Sequence, residues 1–131
     1  HCVTRRQRQM CIRDRYAAAV DDYMLTLPKG KIDSHETMYE AADRELQEEV
    51  GFKSDKMNFI QKLYLAPGYI DHITYMMLAE NLKPSSLVGD EPEDLEIIKV
   101  EIPRINSILE EYKIIDSRVY AAVNYLQNNY E

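Results

Sequence analysis

Cysteine is nearly absent from this chain, and both copies, Cys2 and Cys11, sit among the first fifteen residues. From Tyr16 onward there is none, which excludes a disulfide framework or a thiolate metal site in that stretch. The lack suits a reducing compartment, so a cytoplasmic location is expected. Long apolar runs are missing too. No stretch approaches the roughly 18 uncharged apolar residues that a bilayer demands, and no membrane partner is expected. The basic N-terminus is not followed by the apolar core of a secretory signal. No repeat or low-complexity tract interrupts the 131 residues. What is present, 45% hydrophobic and 30% charged residues, is the composition of one ordinary globular domain.

Residues 1–15 stand apart. They hold five arginines, one aspartate and few core-forming side chains. The string Arg8-Gln9-Met10-Cys11-Ile12-Arg13-Asp14-Arg15 resembles translated adapter read-through found in assembled metagenomic sequence. The segment is therefore expected to be non-native, and the domain is read as residues 16–131. The rival reading is a basic arm for an acidic partner. Without these residues the formal charge moves from −7 to −11. So acidic a body is a poor sequence-independent binder of nucleic acid, and no duplex partner is expected. If it binds a phosphate compound, a cation must bridge the two negative partners.

Short strands are expected at Tyr16 to Val20 and Tyr23 to Leu27, parted by the turn-forming pair Asp21-Asp22. Pro28-Lys29-Gly30 breaks the pattern, and Asp33 or Ser34 is placed to cap a helix, with Glu36 completing a capping box from Asp33. That helix should reach Val50 and stop at Gly51. Further strands are expected at Met57 to Leu65, His72 to Leu82 and Glu96 to Ile102, then helices at Pro103 to Tyr112 and Ser117 to Asn129. The order β-β-α-β-β-β-α-α predicts an α/β fold, a mixed sheet covered by helices.

On a helical wheel, Met38, Tyr39, Ala42, Leu46 and Val50 form an apolar stripe, opposite Glu36, Glu40, Asp43 and Gln47. Glu49 falls inside that stripe, Glu45 on its edge and Glu48 just beyond. Carboxylates turned toward a core are costly unless a cation compensates them. At i, i+3 and i+4 the three converge within one turn, where they repel and raise one another's pKa. A hard divalent cation relieves both problems, and Mg²⁺ is the natural choice when phosphate oxygens complete its shell. The plain alternative is a solvated acidic helix face. Arg44 is placed to reach Glu48 or Glu40 and orient the cluster.

Gly30, Glu36, Arg44-Glu45-Leu46, Glu48-Glu49 and Gly51-Phe52 match the pattern G-x5-E-x7-R-E-U-x-E-E-x-G-U at every specified position, U being a bulky apolar residue. The chain thereby resembles the Nudix hydrolase family. The resemblance implies a loop-helix-loop holding divalent metal against a diphosphate, on an α/β/α sandwich. It implies Glu45 and Glu49 as principal metal ligands, Glu48 as a further one, and an oxygen from the Lys29 or Gly30 backbone carbonyl. Arg44 would hold the glutamates and Glu36 would brace the loop, with Gly30 and Gly51 as the motif glycines. Metal, Mg²⁺ or alternatively Mn²⁺, would neutralise the diphosphate and activate a water for attack.

Residues outside the box choose the leaving group. Pro67 and Tyr69, in Leu65-Ala66-Pro67-Gly68-Tyr69, resemble the downstream proline region of ADP-ribose-hydrolysing relatives, though a Pro-Gly turn explains them as simply. Residues 16–52, 65–69 and 86–93 are similar to bacterial ADP-compound hydrolases of the NudE type, which release AMP from ADP-ribose, NADH and diadenosine polyphosphates. In that likeness Glu93 is the first candidate for general base and Glu91 the second; the bland alternative is a hydrated acidic loop. The likeness also implies a homodimer at full length and strands before Tyr16, so an N-terminally truncated fold is expected. Other readings are a non-catalytic nucleotide-binding module, or a pyrophosphatase for nucleoside triphosphates or sugar nucleotides.

Overall fold

The computed structural model describes residues 3–4, 9–89 and 96–129, with side chains from residue 10 onward. Strands β1 (Val3–Thr4), β2 (Gln9–Ala17) and β3 (Asp22–Thr26) precede helix α1 (Met38–Glu49). Strands β4 (Phe52–Tyr64), β5 (Ile73–Pro84) and β6 (Glu96–Glu101) follow, then a 3₁₀ turn at Ile102–Arg104 and helices α2 (Ile105–Glu111) and α3 (Ser117–Asn129).

Strand β2 is the centre of a four-stranded sheet. It pairs with β6 through Gln9 to Asp14 and with β3 through Arg13 to Ala17, while β1 meets its first two residues. The β4–β5 hairpin makes a second, two-stranded sheet with a register shift between Phe59 and Gln61. All these ladders are antiparallel, and the parallel component among the described residues is the Leu25–Ile115 bridge.

Side chains alternate across a strand, so one strand can serve two cores. Met10 and Ile12 of β2 and Met76 and Leu78 of β5 join Leu25, Val100 and the α3 stripe Val119, Ala122, Val123 and Leu126. Cys11 and Ala79, one residue out of phase, join Leu46 and Val50 of α1. Strands thus lie between α1 on one side and α2 and α3 on the other, an α/β/α sandwich. The same alternation turns Arg13 toward α1, and it is fully buried.

Several boundaries differ from expectation for local reasons. Strand β2 starts at Gln9, not Tyr16, so part of the segment read as foreign supplies its core-facing half. It ends early because Asp21, at φ 52, turns the chain, leaving Asp22 to open β3. Strand β4 begins at Phe52, directly after Gly51 (φ 78), where the Ser54 N–H finds the Asp43 carboxylate at 2.8 Å. Asp43 and Gln47 are accordingly half-buried and bonded, not solvated, while Tyr39 is 44% exposed and Ala41 takes its inward place.

The cap of α1 also moves. Thr37 accepts from the Glu40 N–H at 3.2 Å, and Glu40 accepts from the Thr37 N–H at 2.9 Å, a reciprocal capping box. Asp33 and Glu36 instead close a turn, in which the Asp33 N–H donates to Glu36 at 2.9 Å. Thr37→Ala should therefore cost about 1 kcal/mol in urea denaturation. Ser34→Ala should cost far less, and equal losses would contradict this cap.

Candidate functional site

Helix α1 presents its glutamates to an open cleft of about 1520 Å³. That exceeds the roughly 300–1,000 Å³ of ordinary small-ligand pockets. Arg44 organises one wall. Its Nε and Nη2 grip both oxygens of Glu36 at 3.1 and 2.7 Å, and Nη2 also reaches the Lys31 carbonyl at 2.8 Å. Its Nη1 donates to Glu45 at 2.9 Å and Glu48 at 3.2 Å. The expected reach to Glu40 is not made, because Glu40 serves the cap. This network holds the Arg44 pKa above its ordinary value and the Glu36 pKa below its own, Arg44's hydrogen bond being the larger cause for Glu36.

Glu45 and Glu49 sit deeper. Burial pushes the Glu45 carboxyl up against the opposing pull of Arg44, and the charges of Glu49 and Glu48 push the same way. Glu49 is 8% exposed, accepts the Lys29 N–H at 2.9 Å and forms an ion pair with Arg13. All three Arg13 guanidinium nitrogens are buried with no hydrogen-bond partner among the described residues. What the structure shows of the Lys29 backbone at Glu49 is its donor N–H.

The opposite wall is cationic and escaped the sequence reading. Asp116 caps α3, accepting the Arg118 N–H at 3.0 Å, and the Arg118 side chain returns to it through Nε at 3.0 Å and Nη2 at 2.6 Å. Thr26 donates to Asp116 at 3.0 Å, and Arg118 Nη1 donates to Thr74 at 3.2 Å. Burial alone would raise the Asp116 pKa, but these bonds, led by Arg118, push it down to about 2. The Lys29 ammonium stands 3.7 Å from Asp116, its pKa lowered by burial and then by Arg118. Lys29 therefore touches both walls. A helix-terminal Asp-x-Arg beside a Pro-Lys-Gly loop was the available signal, but only the fold brings residues 29, 74 and 118 together.

The donors fit a hard divalent cation. Three carboxylates offer oxygens alone, and Gly30 makes room for them: a Cβ there would lie 1.8 Å from the Glu45 carboxyl. Among the described residues no three acidic or histidine side chains meet at one point, since guanidinium groups hold Glu45, Glu48 and Glu49. Metal would exchange with those guanidinium contacts. Glu91 and Glu93 lie outside the described residues. Pro67 and Tyr69 are not brought to the cleft. They form the turn joining β4 to β5, closed by the Tyr69 N–H on the Ala66 carbonyl at 2.9 Å, and Tyr69 is 94% exposed.

Residues 1–123 match the model of the NUDIX domain. The chain belongs to the Nudix family. It is 39% identical to the ADP compounds hydrolase NudE of Escherichia coli over 82% of the chain and 58% of that protein. It is 31% identical to the ADP-ribose pyrophosphatase of Bacillus subtilis over 79% of the chain and 57% of that protein. A crystal structure of an ADP compounds hydrolase superposes with a TM-score of 0.86 at 34% identity, covering 97% of the chain and 71% of that structure. This Nudix chain thus spans less than two thirds of the length of those two curated relatives.

Two outcomes follow from the site of this Nudix chain. Gly30→Ala should swing Glu45 aside and weaken Mn²⁺ binding on the order of 10-fold while the fold persists. Paramagnetic resonance titration beside a melting curve would read both, and unaltered affinity would count against the cradle. Asp116 has a folded pKa below its ordinary value, so its stabilisation is full above about pH 4 and lost as pH falls toward about 2. Acid denaturation should lose about 2 kcal/mol across that window. The loss should vanish in Asp116→Asn.

Proposed function

We propose that the chain hydrolyses the diphosphate linkage of ADP-linked compounds, such as ADP-ribose, NADH and diadenosine polyphosphates, releasing AMP with Mg²⁺ as cofactor and Mn²⁺ as a substitute. The observation that carries this reading is the arrangement of Glu45, Glu48 and Glu49 on the cleft wall of α1, beside a glycine loop that leaves space for them. Support for the substrate class comes from relatives named for ADP compounds, ADP-ribose and, in Mus musculus, ADP-sugars.

Glu45, Glu48 and Glu49 would hold the metal, with a carbonyl of Lys29 or Gly30 as a further oxygen. When bound, the metal neutralises the diphosphate and lowers the pKa of water. The chain's own residues do the positioning. Arg44 fixes the direction of Glu45 and Glu48, Glu36 ties Arg44 to the loop, and Gly51 ends the helix so that Glu49 stays on its last turn. Glu93, or in second place Glu91, is the proposed base that takes the proton of the attacking water. Gly89, the last described residue before them, lies against α1, since a Cβ there would stand 3.4 Å from the Glu48 Cβ. Water attacks phosphorus, the bridging P–O bond breaks, and the leaving phosphate oxygen carries away its electron pair. Pro67 and Tyr69 keep a substrate-contact role only if the β4–β5 tip folds over the ligand. At full length a cytoplasmic homodimer is proposed; no helix among the described residues is long and apolar enough to cross a membrane.

Removing even an outer partner of a metal ligand typically costs 10- to 100-fold, so Glu49→Gln should lower AMP formation from ADP-ribose by at least about 100-fold. Chromatographic assay in Mg²⁺ would measure it. Turnover equal to the parent chain would reject the proposal, and ADP-ribose binding without product would favour a nucleotide-binding module.

A further inference from the structure

Two cations share one carboxylate on the wall facing the glutamates, and one of them is surplus. Asp116 already receives the Thr26 hydroxyl, the Arg118 N–H and a two-point contact from the Arg118 guanidinium. These bonds satisfy the carboxylate and balance its charge. Lys29 adds a second positive charge at 3.7 Å, beyond hydrogen-bond reach, and its ammonium has no acceptor among the described residues. Its side chain is only 33% exposed, so much of its hydration has been given up for an ion pair too long to be a hydrogen bond.

Arg118 has the opposite character. Asp116 and Thr74 hold its guanidinium from two elements, and it is 14% exposed. A guanidinium carries five donor hydrogens. After these contacts one N–H on each terminal nitrogen has no acceptor among the described residues. Such a locked, forked cation is suited to phosphate oxygens. Both cations line the cleft that holds Glu45 and Glu49, and the Lys29 backbone is bonded to Glu49 itself.

We propose that Lys29 and Arg118 form a metal-independent anion subsite that positions a phosphoryl group of the substrate on the cleft wall opposite the glutamates. The inference deepens the diphosphate-hydrolase reading and rests on it for the identity of the ligand. A diphosphate seated there is held by cationic side chains on one flank and turns its other flank to the carboxylate wall. Lys29 and Arg118 are positioning residues. The purely structural alternative, a salt-bridge cluster that anchors α3, accounts for Arg118 fully but leaves the Lys29 ammonium with only its long ion pair to Asp116.

The test is calorimetric titration of the full chain with ADP-ribose in EDTA, where bound metal cannot contribute. Lys29→Met should weaken binding at least about 10-fold, the scale of one charge-assisted hydrogen bond, and Lys29→Arg should recover most of it. Mn²⁺ affinity of the Lys29→Met chain, read by paramagnetic resonance, should not fall, since the change removes a positive charge near Glu49 and keeps the backbone. Arg118→Lys, which keeps the charge but loses the fork, should weaken ADP-ribose binding while Asp116 stays paired. In Mg²⁺, Lys29→Met should raise KM more than it lowers kcat. Equal affinity of the parent and Lys29→Met chains in EDTA overturns the subsite, as does undetectable binding by the parent. If the parent binds ADP-ribose through Lys29 yet releases no AMP with metal, the hydrolase reading fails and the subsite stands. If Lys29→Met cleaves ADP-ribose with unchanged KM, the subsite fails and the hydrolase reading stands.

Discussion

The Arg44 guanidinium is the constraint on which the site depends. It joins Glu36 and the Lys31 carbonyl, from the loop before α1, to Glu45 and Glu48 on the helix. Five donors fixed in one plane can satisfy such a set only in one relative placement of loop and helix. Because the side chain is 25% exposed, little of this converts into folding free energy. Its value is geometric. Without it, Glu45 and Glu48 would repel each other unopposed, and the loop carrying Lys29 and Gly30 would lose one of its ties to the helix.

Charge is distributed across the cleft with an order that composition conceals. The chain is acidic overall, yet the glutamates face a wall built from Lys29 and Arg118. Each glutamate charge is answered within the chain, Glu45 and Glu48 by Arg44 and Glu49 by Arg13 and the Lys29 N–H. A divalent cation held here, as proposed, would have to replace guanidinium contacts.

Much of the fold was legible because its signals are local. The α3 stripe Val119, Ala122, Val123 and Leu126 repeats at helical spacing, and the structure buries all four. The inward place of Glu49 follows from its angle on the same wheel as Leu46 and Val50. Misreadings arose where a long-range partner outweighed a local preference. Asp43 and Gln47 look like surface residues, but β4 and the stretch after β5 supply their partners through Ser54 and Ser85. Asp33 has the chemistry of a cap, yet Thr37 takes that place because Asp33 and Glu36 are drawn into the turn that serves Arg44.

Sequence alone determined the helix with its three glutamates, the glycines at either end and the family, since all lie within residues 30–52 and need only helical periodicity to be assembled. Tertiary structure decided what faces them. Residues 29, 74, 116 and 118 come from three separate stretches of chain, and no spacing rule connects them. Only the packing of α3 and β5 around the first sheet brings these polar and charged groups to one wall, because such a partnership depends on distance in space, which a one-dimensional pattern does not record.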